Sequence, residues 1–258
     1  MDLPLFPLHT VLCPGVALPL HVFEDRYREM VRYCLAERTP FGVILIREGR
    51  EVGEVHEAAE LALATIGTEA EIREASRWSD GRFDLVAVGT RRFALDGVVA
   101  GQEPYLVGHV RPLTDEVGDP ARARALVSRV SRRFVRYLEL LRPLDGEKTE
   151  ELDIRVEVEV ERAAEDEGGP GETEDAVNPL RTAPPRRARV PDDPATLSFL
   201  LSGIIQVEPA RRQQLLEAES AEARLIALDR LLDRELLLLR HRLRHYAADP
   251  RLAATRRS

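Results

Sequence analysis

The chain has 258 residues, of which 44% are hydrophobic, and its formal net charge is −8 at pH 7. This is the composition of a globular protein long enough for one large domain or two small ones. The negative charge argues against a nucleic-acid-binding surface, and no apolar run approaches the roughly 20 residues that span a bilayer.

The charge is concentrated in one part of the chain. Residues 147–175 contain thirteen acidic and three basic residues, whereas residues 181–189 contain four arginines and no acid. The two cysteines, Cys13 and Cys34, lie among apolar residues and form no CxxC pair. We therefore expect buried free thiols in a reducing cytoplasm. The start of the chain lacks the basic region of a signal peptide.

Short apolar segments that alternate with prolines open the chain. Proline donates no ladder hydrogen bond, so Pro4, Pro7, Pro14 and Pro19 restrict these strands to edges, bulges and corners. Pro14 is followed by Gly15, and this pair is typical of a turn because glycine accepts a positive φ.

The spacing of apolar residues then predicts a helix from about Glu24 to Glu37, ended by Pro40. Its apolar face is formed by Phe23, Tyr27, Met30, Val31 and Cys34. The continuous apolar run from residue 41 to residue 46 suits a strand that is buried on both faces.

Residues from about 62 to 113 are β-like, with turn signals at short intervals. Turns are predicted at Asp80-Gly81 and at Gly89-Thr90. The strands predicted around them are Ile66 towards Trp78, Arg82 to Val88, Arg92 to Val99 and Tyr105 to Val110. Short strands at this spacing favour a curled sheet or a small barrel.

The second half of the chain is helical on both sides of a charged segment. Apolar spacing predicts helices at residues 120–141, from the Asp193-Pro194 cap, from Pro209 and from the Ser220 cap. The last helix carries a leucine stripe from Leu225 to Leu243. Between them, the Gly, Pro and charge content of about 146–192 predicts a disordered insertion. The alternative is a hairpin arm, since Ile154, Val156, Val158 and Val160 alternate with charged residues as in a strand.

Taken in chain order, these motifs resemble the N-terminal domain of Lon proteases. The strings that carry the resemblance are Phe6-Pro7-Leu8, Pro14-Gly15, Leu18-Pro19-Leu20, Phe23-Glu24, Arg26-Tyr27, Phe41-Gly42-Val43, Ile66-Gly67-Thr68, Asp80-Gly81-Arg82, Gly89, Arg92-Phe93, Pro104-Tyr105, Asp193-Pro194, Leu197-Ser198, Gln214-Leu215-Leu216-Glu217 and Arg224-Leu225. The insertion at about 146–192 departs from the family pattern and lies outside the resemblance.

The resemblance implies an α+β fold in a stand-alone bacterial form. A β-rich lobe at residues 1–113, a curled sheet or small barrel with one helix, precedes an all-helical lobe at residues 119–258. It also implies a module that holds protein substrates without cutting them. The clients would be unfolded or misfolded polypeptides, bound in a groove between the lobes and presented to a separate protease or simply held.

Catalytic modules of full-length Lon proteases do not fit this chain. A phosphate-binding loop and a serine–lysine dyad both need a lysine, and Lys148, the only one, lies in the acidic segment. The segment His56 to Glu60 lacks the second histidine of a zinc motif, and His241 and His245 have no third ligand in sequence. We expect no enzymatic activity, no cofactor and no metal.

Three residues are candidates for peptide contacts. Trp78 is the only tryptophan and lies beside a turn, so it is either an exposed contact or a packed ring. Arg91 and Arg92 are either part of a binding patch or of a hairpin that packs Phe93. Two other functions stay open, namely a small-molecule-binding module on the same fold and a structural protein that dimerises through its last helix.

Overall fold

The computed structural model describes residues 1–48, 62–99, 103–141 and 191–248. Within these ranges the chain forms seven strands followed by four helices, with one further helix between the second and third strands. In chain order they are β1 (Asp2–Leu8), β2 (Ala17–Val22), α1 (Asp25–Glu37), β3 (Phe41–Glu48), β4 (Ala62–Leu63), β5 (Ile66–Arg77), β6 (Phe83–Val99), β7 (Leu106–Pro112), α2 (Pro120–Leu141), α3 (Pro194–Ile204), α4 (Pro209–Leu216) and α5 (Ala221–Ala248). The predicted α+β fold class is confirmed.

Five strands close on themselves in the order β1-β7-β6-β5-β3, because β1 pairs antiparallel with β7 and parallel with β3. The pairing partners of Leu5 are Leu106 on one side and Gly42 on the other. β2 lies on β6 and β4 lies on β3, outside this closed circuit. Closure pairs the two outer strands of the circuit with each other, which an open sheet would leave as edges.

The prolines of the first two strands lie where a strand has a neighbour on one side only. Pro4 is in the part of β1 that pairs with β7, and Pro7 is in the part that pairs with β3. Pro19 is in β2, which pairs with β6. The missing N–H of each proline therefore costs no ladder hydrogen bond.

The predicted turn at Gly89-Thr90 is wrong, because β6 runs without interruption from Phe83 to Val99. Its pairing with β5 shifts in register between Thr68 and Ala70, opposite Arg92 and Gly89. The glycine therefore marks a β-bulge, which bends a long strand without ending it.

The first helix is confirmed at Asp25–Glu37, and it ends at Arg38, whose φ of 54° is left-handed. The prediction that Phe23 belongs to its buried face is wrong. Phe23 precedes the helix and is 55% exposed, whereas Tyr27, Met30, Val31 and Cys34 are buried. They pack with apolar residues of the sheet in one core cluster.

The helices α2 and α5 run parallel to each other. Ion pairs join Arg122 to Glu222 and Arg129 to Asp229, at the same offset in sequence. Beneath these pairs, α2 to α5 enclose an apolar cluster of their own that includes Val130, Leu197 and Leu228. Asp193 caps α3 as expected, since its carboxylate accepts a hydrogen bond of 2.8 Å from Thr196 N.

A third apolar cluster joins the sheet to the helices. Phe199 of α3 and Leu216 of α4 pack among sheet residues such as Leu5, Ile44 and Leu106. The division into domains at residues 113 and 119 stays a prediction. The predicted insertion falls almost entirely in residues 142–190, outside the described residues, as does the segment from His56 to Glu60.

Candidate functional site

A cleft of about 590 Å³ separates the outer face of the sheet from helix α3. The sheet contributes Val88, Gly89 and Thr90, and the helix contributes Phe199 and Leu200. The turn Pro14-Gly15 forms one end, and Arg73 and Asp115 are the charged residues in the lining. The cleft therefore lies at the place where the sequence predicts a groove between the β-rich and helical parts.

Two glycines set the shape of this cleft. The backbone of the turn lies against β6, where Gly15 N–H donates to Gly89 O at 2.8 Å and Gly89 N–H donates to Val16 O at 3.0 Å. A Cβ atom at Gly89 would lie 2.5 Å from Cys13 O, and one at Gly203 would lie 2.5 Å from a Val16 methyl group. Only glycine allows the turn, β6 and α3 to approach so closely.

The lining of the cleft contains an aromatic ring, that of Phe199, with two arginines close to it. The guanidinium carbon of Arg224 lies 3.5 Å from the centroid of the Phe199 ring, and that of Arg92 lies 5.4 Å from it. Arg224 is fully buried and donates to Leu215 O at 3.0 Å and to Ser198 Oγ at 2.8 Å. Burial, and then the charge of Arg92, lowers the pKa of Arg224 to about 10.

Arg92, one of the predicted contact residues, is 3% exposed and joins the sheet to the helices. Its Nε donates to Asp115 Oδ1 at 2.7 Å, and its Nη1 donates to Leu216 O at 2.7 Å and to Ala218 O at 2.9 Å. Because Asp115 lines the cleft, Arg92 positions one wall of it. A direct peptide contact by Arg92 stays a prediction.

Arg91 is exposed, and its Nε donates to Glu69 Oε2 at 2.8 Å. The Glu69 carboxylate is buried, and its Oε1 has no hydrogen-bond partner among the residues that the structure describes. Arg91 is exposed whereas the adjacent Arg92 is buried, so the two side chains do not share one exposed surface. Trp78 lies opposite Arg82 in the β5–β6 hairpin, about 30 Å from Arg91 along an extended strand. The structure thus does not bring the three predicted residues together.

Trp78 belongs to an exposed aromatic group at the tip of that hairpin. The ring is 51% exposed, its Nε1 donates to Asp84 Oδ2 at 2.7 Å, and the Arg82 guanidinium lies 5.6 Å from its centroid. His21 Nδ1 lies 2.6 Å from Asp84 Oδ1, and Phe23 stacks on His21 at 6.3 Å. The hydrogen bonds from His21 and then from Trp78 lower the pKa of Asp84.

A second cavity of about 440 Å³ lies on the outer face of the sheet beside this tip. It is lined by Pro19 and His21 of β2, by Glu74 of β5 and by Asp84 and Val86 of β6. None of these residues is among the contact residues predicted from the sequence. The signal for the β6 residues is the alternation from residue 83 to residue 88, where each half-buried residue follows a buried one.

The described part of the chain contains neither a metal-binding cluster nor a reactive thiol. No group of three or more His, Cys, Asp or Glu side chains there could hold a metal ion, and no helix there could cross a membrane. Cys13 and Cys34 are buried free thiols, as expected. Desolvation raises the pKa of Cys13 to about 12 and that of Cys34 to about 11, so neither is a reactive thiolate.

The chain is similar to Lon proteases and to isolated Lon N-terminal domains. It is 27% identical over 228 residues to the Lon protease of Paraburkholderia phytofirmans, covering 87% of this chain and 23% of that protein. It is 28% identical over 144 residues to the Lon protease of Porphyromonas gingivalis, covering 54% of this chain and 16% of that protein. The chain thus spans between a sixth and a quarter of these curated relatives.

The crystal structure of a Lon N-terminal domain protein from Xanthomonas campestris shares the fold. The TM-score is 0.54 at 24% identity, and the alignment covers 88% of this chain and 96% of that one. The Lon substrate-binding domain is a non-catalytic module, and the match supports a role in substrate recognition. The model of the ATP-dependent protease La (LON) substrate-binding domain matches residues 2–234, so the chain belongs to that family.

Proposed function

We propose that this chain is a non-catalytic module that binds unfolded or misfolded polypeptide segments in the cleft between the sheet and α3. It presents these clients to a separate protease or keeps them from aggregating. The proposed compartment is the cytoplasm, where the buried thiols Cys13 and Cys34 stay reduced. No cofactor, metal or nucleic acid takes part in this function.

The lining of the cleft is the observation that carries the proposal. Val88 and Leu200 supply apolar surface, and the Pro14-Gly15 turn supplies backbone. Both charged residues of the lining already have partners: Asp115 pairs with Arg92 at 2.6 Å, and Arg73 pairs with Glu71 at 3.5 Å. Apolar surface without convergent unpaired polar groups suits varied peptide side chains better than one defined metabolite.

The free side of β5 offers a second mode of contact. The pairing of β5 with β3 ends at Ala70, and the pairing with β6 continues to Arg77. From Glu71 to Arg77 the described strands therefore leave one side of β5 unpaired. A peptide strand added there would gain main-chain hydrogen bonds whatever its sequence, which is what a binder of varied clients needs.

Dimerisation through the last helix is the second candidate, favoured by two exposed leucines. Leu225, Leu228 and Leu232 of the predicted stripe are buried against α2, whereas Leu237 is 66% exposed and Leu238 is also exposed. A dimer would cover this pair. Analytical ultracentrifugation of the parent protein and of Leu237→Glu tests this candidate. A dimer that forms through this surface should dissociate in the variant, and any other dimer should not.

A binding titration tests the main proposal. A permanently unfolded model protein and its native form are titrated against the full chain by fluorescence anisotropy. We expect the chain to bind the unfolded form and not the native form. Leu200→Asp, in the cleft, should weaken this affinity at least tenfold. Leu35→Asp, on the exposed side of α1, is the matched control and keeps the affinity. The proposal is wrong if no unfolded chain binds while native mass spectrometry finds one small molecule bound stoichiometrically.

A further inference from the structure

The outer face of the sheet continues from the cleft to the hairpin tip. In β6, the side chains of Asp84, Val86, Val88 and Thr90 alternate with buried ones and share one face. We call these four residues the β6 track. They are half-buried, so each is covered at its base and accessible at its end.

The strands on either side of β6 extend this face into a band three strands wide. Across it, His21, Asp84 and Ser76 form one row and Pro19, Val86 and Glu74 form the next. Cross-strand neighbours lie about 5 Å apart. The band therefore matches the width of one extended peptide that lies along β6.

The two cavities occupy successive parts of the β6 track. Asp84 and Val86 line the cavity of about 440 Å³, and Val88 and Thr90 line the cleft of about 590 Å³. From residue 84 to residue 90 an extended strand rises about 20 Å. At the far end, Trp78 is bonded to Asp84 through its ring nitrogen.

The charge of this face favours a basic partner. The carboxylates that line the two cavities belong to Glu74, Asp84 and Asp115, against the guanidinium of Arg73 and the imidazole of His21. Asp84 bonds His21, and Asp115 pairs with Arg92. Glu74 forms no ion pair with any described residue, so its carboxylate is available beside Val86.

We propose that the β6 track binds one extended polypeptide segment of about seven residues, from the cleft to Trp78, with apolar side chains at alternate positions and a basic residue opposite Glu74. This inference rests on the proposed function and names the class of segment. Val86 and Val88 contact the apolar side chains, and the Trp78 ring covers the end of the segment.

Peptide titrations with the full chain test the proposal. The probe is a ten-residue peptide with valine or leucine at alternate positions and one arginine, and the comparison peptides carry glutamate in place of arginine or are cut to four residues. We expect the arginine peptide to bind at least fivefold tighter than the glutamate peptide and tenfold tighter than the short one. Trp78 is the only tryptophan, so its emission should shift to the blue only with the long peptides.

Variants on and off the β6 track sharpen the test. Val86→Asp should weaken the affinity for the arginine peptide at least tenfold. Val98→Asp, at an exposed valine of the same strand outside the track, should leave that affinity within twofold of the parent value. Glu74→Arg should reverse the preference between the arginine and glutamate peptides. Glu74 is exposed, so this variant keeps the test valid if Val86→Asp does not fold.

The failure of this inference differs from the failure of the proposed function. Suppose that peptides bind, that Leu200→Asp weakens their affinity, and that neither Val86→Asp nor peptide binding changes affinity or Trp78 emission, respectively. The cleft alone is then the site, and the proposal for the β6 track is overturned. If no peptide or unfolded protein binds, the proposed function falls as well. A dimer that dissociates in Val86→Asp without any peptide binding would assign the face to a second copy of the chain and overturn the proposal.

Discussion

The fully buried guanidinium of Arg224 lies 3.5 Å from the centroid of the Phe199 ring, beneath the cleft. Within the described residues no carboxylate forms an ion pair with Arg224, so the ring, neutral acceptors and the more distant charge of Asp115 stabilise its charge. Helix α5 thereby fixes the position of a buried ring of α3 that lines the cleft.

Replacing Arg224 with alanine should lower the free energy of unfolding by about 3 kcal/mol, because Leu215 O and Ser198 Oγ lose a buried donor and a cavity opens. Arg224→Met fills that space without a charge and should cost less than half as much. Urea denaturation measures both, with Arg230→Ala, at an exposed site of the same helix, as control. An equal loss in the alanine and methionine variants would contradict the packing argument.

Arg91→Ala should destabilise the fold by about 1–3 kcal/mol, because the buried Glu69 carboxylate loses its ion pair. The double variant Arg91→Ala/Glu69→Gln should recover most of this stability. The peptide affinity of the double variant then distinguishes two roles of Arg91. If it equals that of the parent protein, Arg91 only supports Glu69. If it is weaker, Arg91 contacts the peptide.

Gly89→Ala should lower the free energy of unfolding by about 2 kcal/mol, because the new Cβ would lie 2.5 Å from Cys13 O. Gly97→Ala, in the same strand, is the matched control, since a Cβ there meets no atom within 4 Å. Chemical denaturation compares the two variants. The close approach of turn and strand would be disproved by equal stability.

The two buried thiols should make the fold less stable in alkali. Their folded pKa values of about 12 for Cys13 and about 11 for Cys34 exceed the unfolded value of about 8.5. Above pH 9 the unfolded chain therefore loses thiol protons that the folded chain keeps, and the free energy of unfolding falls as the pH rises towards 11. The fall between pH 8 and pH 10 should be smaller when both cysteines are alanine, and thiol-reactive dyes should label the native protein slowly at pH 8.

Local signals in the sequence were sufficient to predict most of the elements. The spacing of apolar residues predicts α1 and α2, and the caps at Asp193 and Ser220 form in the structure, where Ser220 Oγ accepts from Ala223 N at 3.1 Å. These interactions span three or four residues, so a short stretch of sequence contains both partners.

The errors have a different physical origin. Gly89 followed by Thr90 looks like a turn, yet the role of Gly89 depends on Cys13, 76 positions away. Arg92 donates a hydrogen bond to Leu216 O, 124 positions away, and no local sequence pattern predicts such a pair. The cleft and the β6 track arise from contacts of this kind, so the sequence could indicate a groove without placing its residues.

The closed order of the sheet also has a consequence for synthesis. Leu5 pairs with Gly42 and with Leu106, so β1 stays open on one side until β7 has left the ribosome. Such distant pairings raise the contact order, which slows folding. During that interval the nascent chain exposes an apolar strand with an unpaired edge, which is the kind of segment that the finished domain is proposed to capture. We therefore expect its own early folding to depend on chaperones.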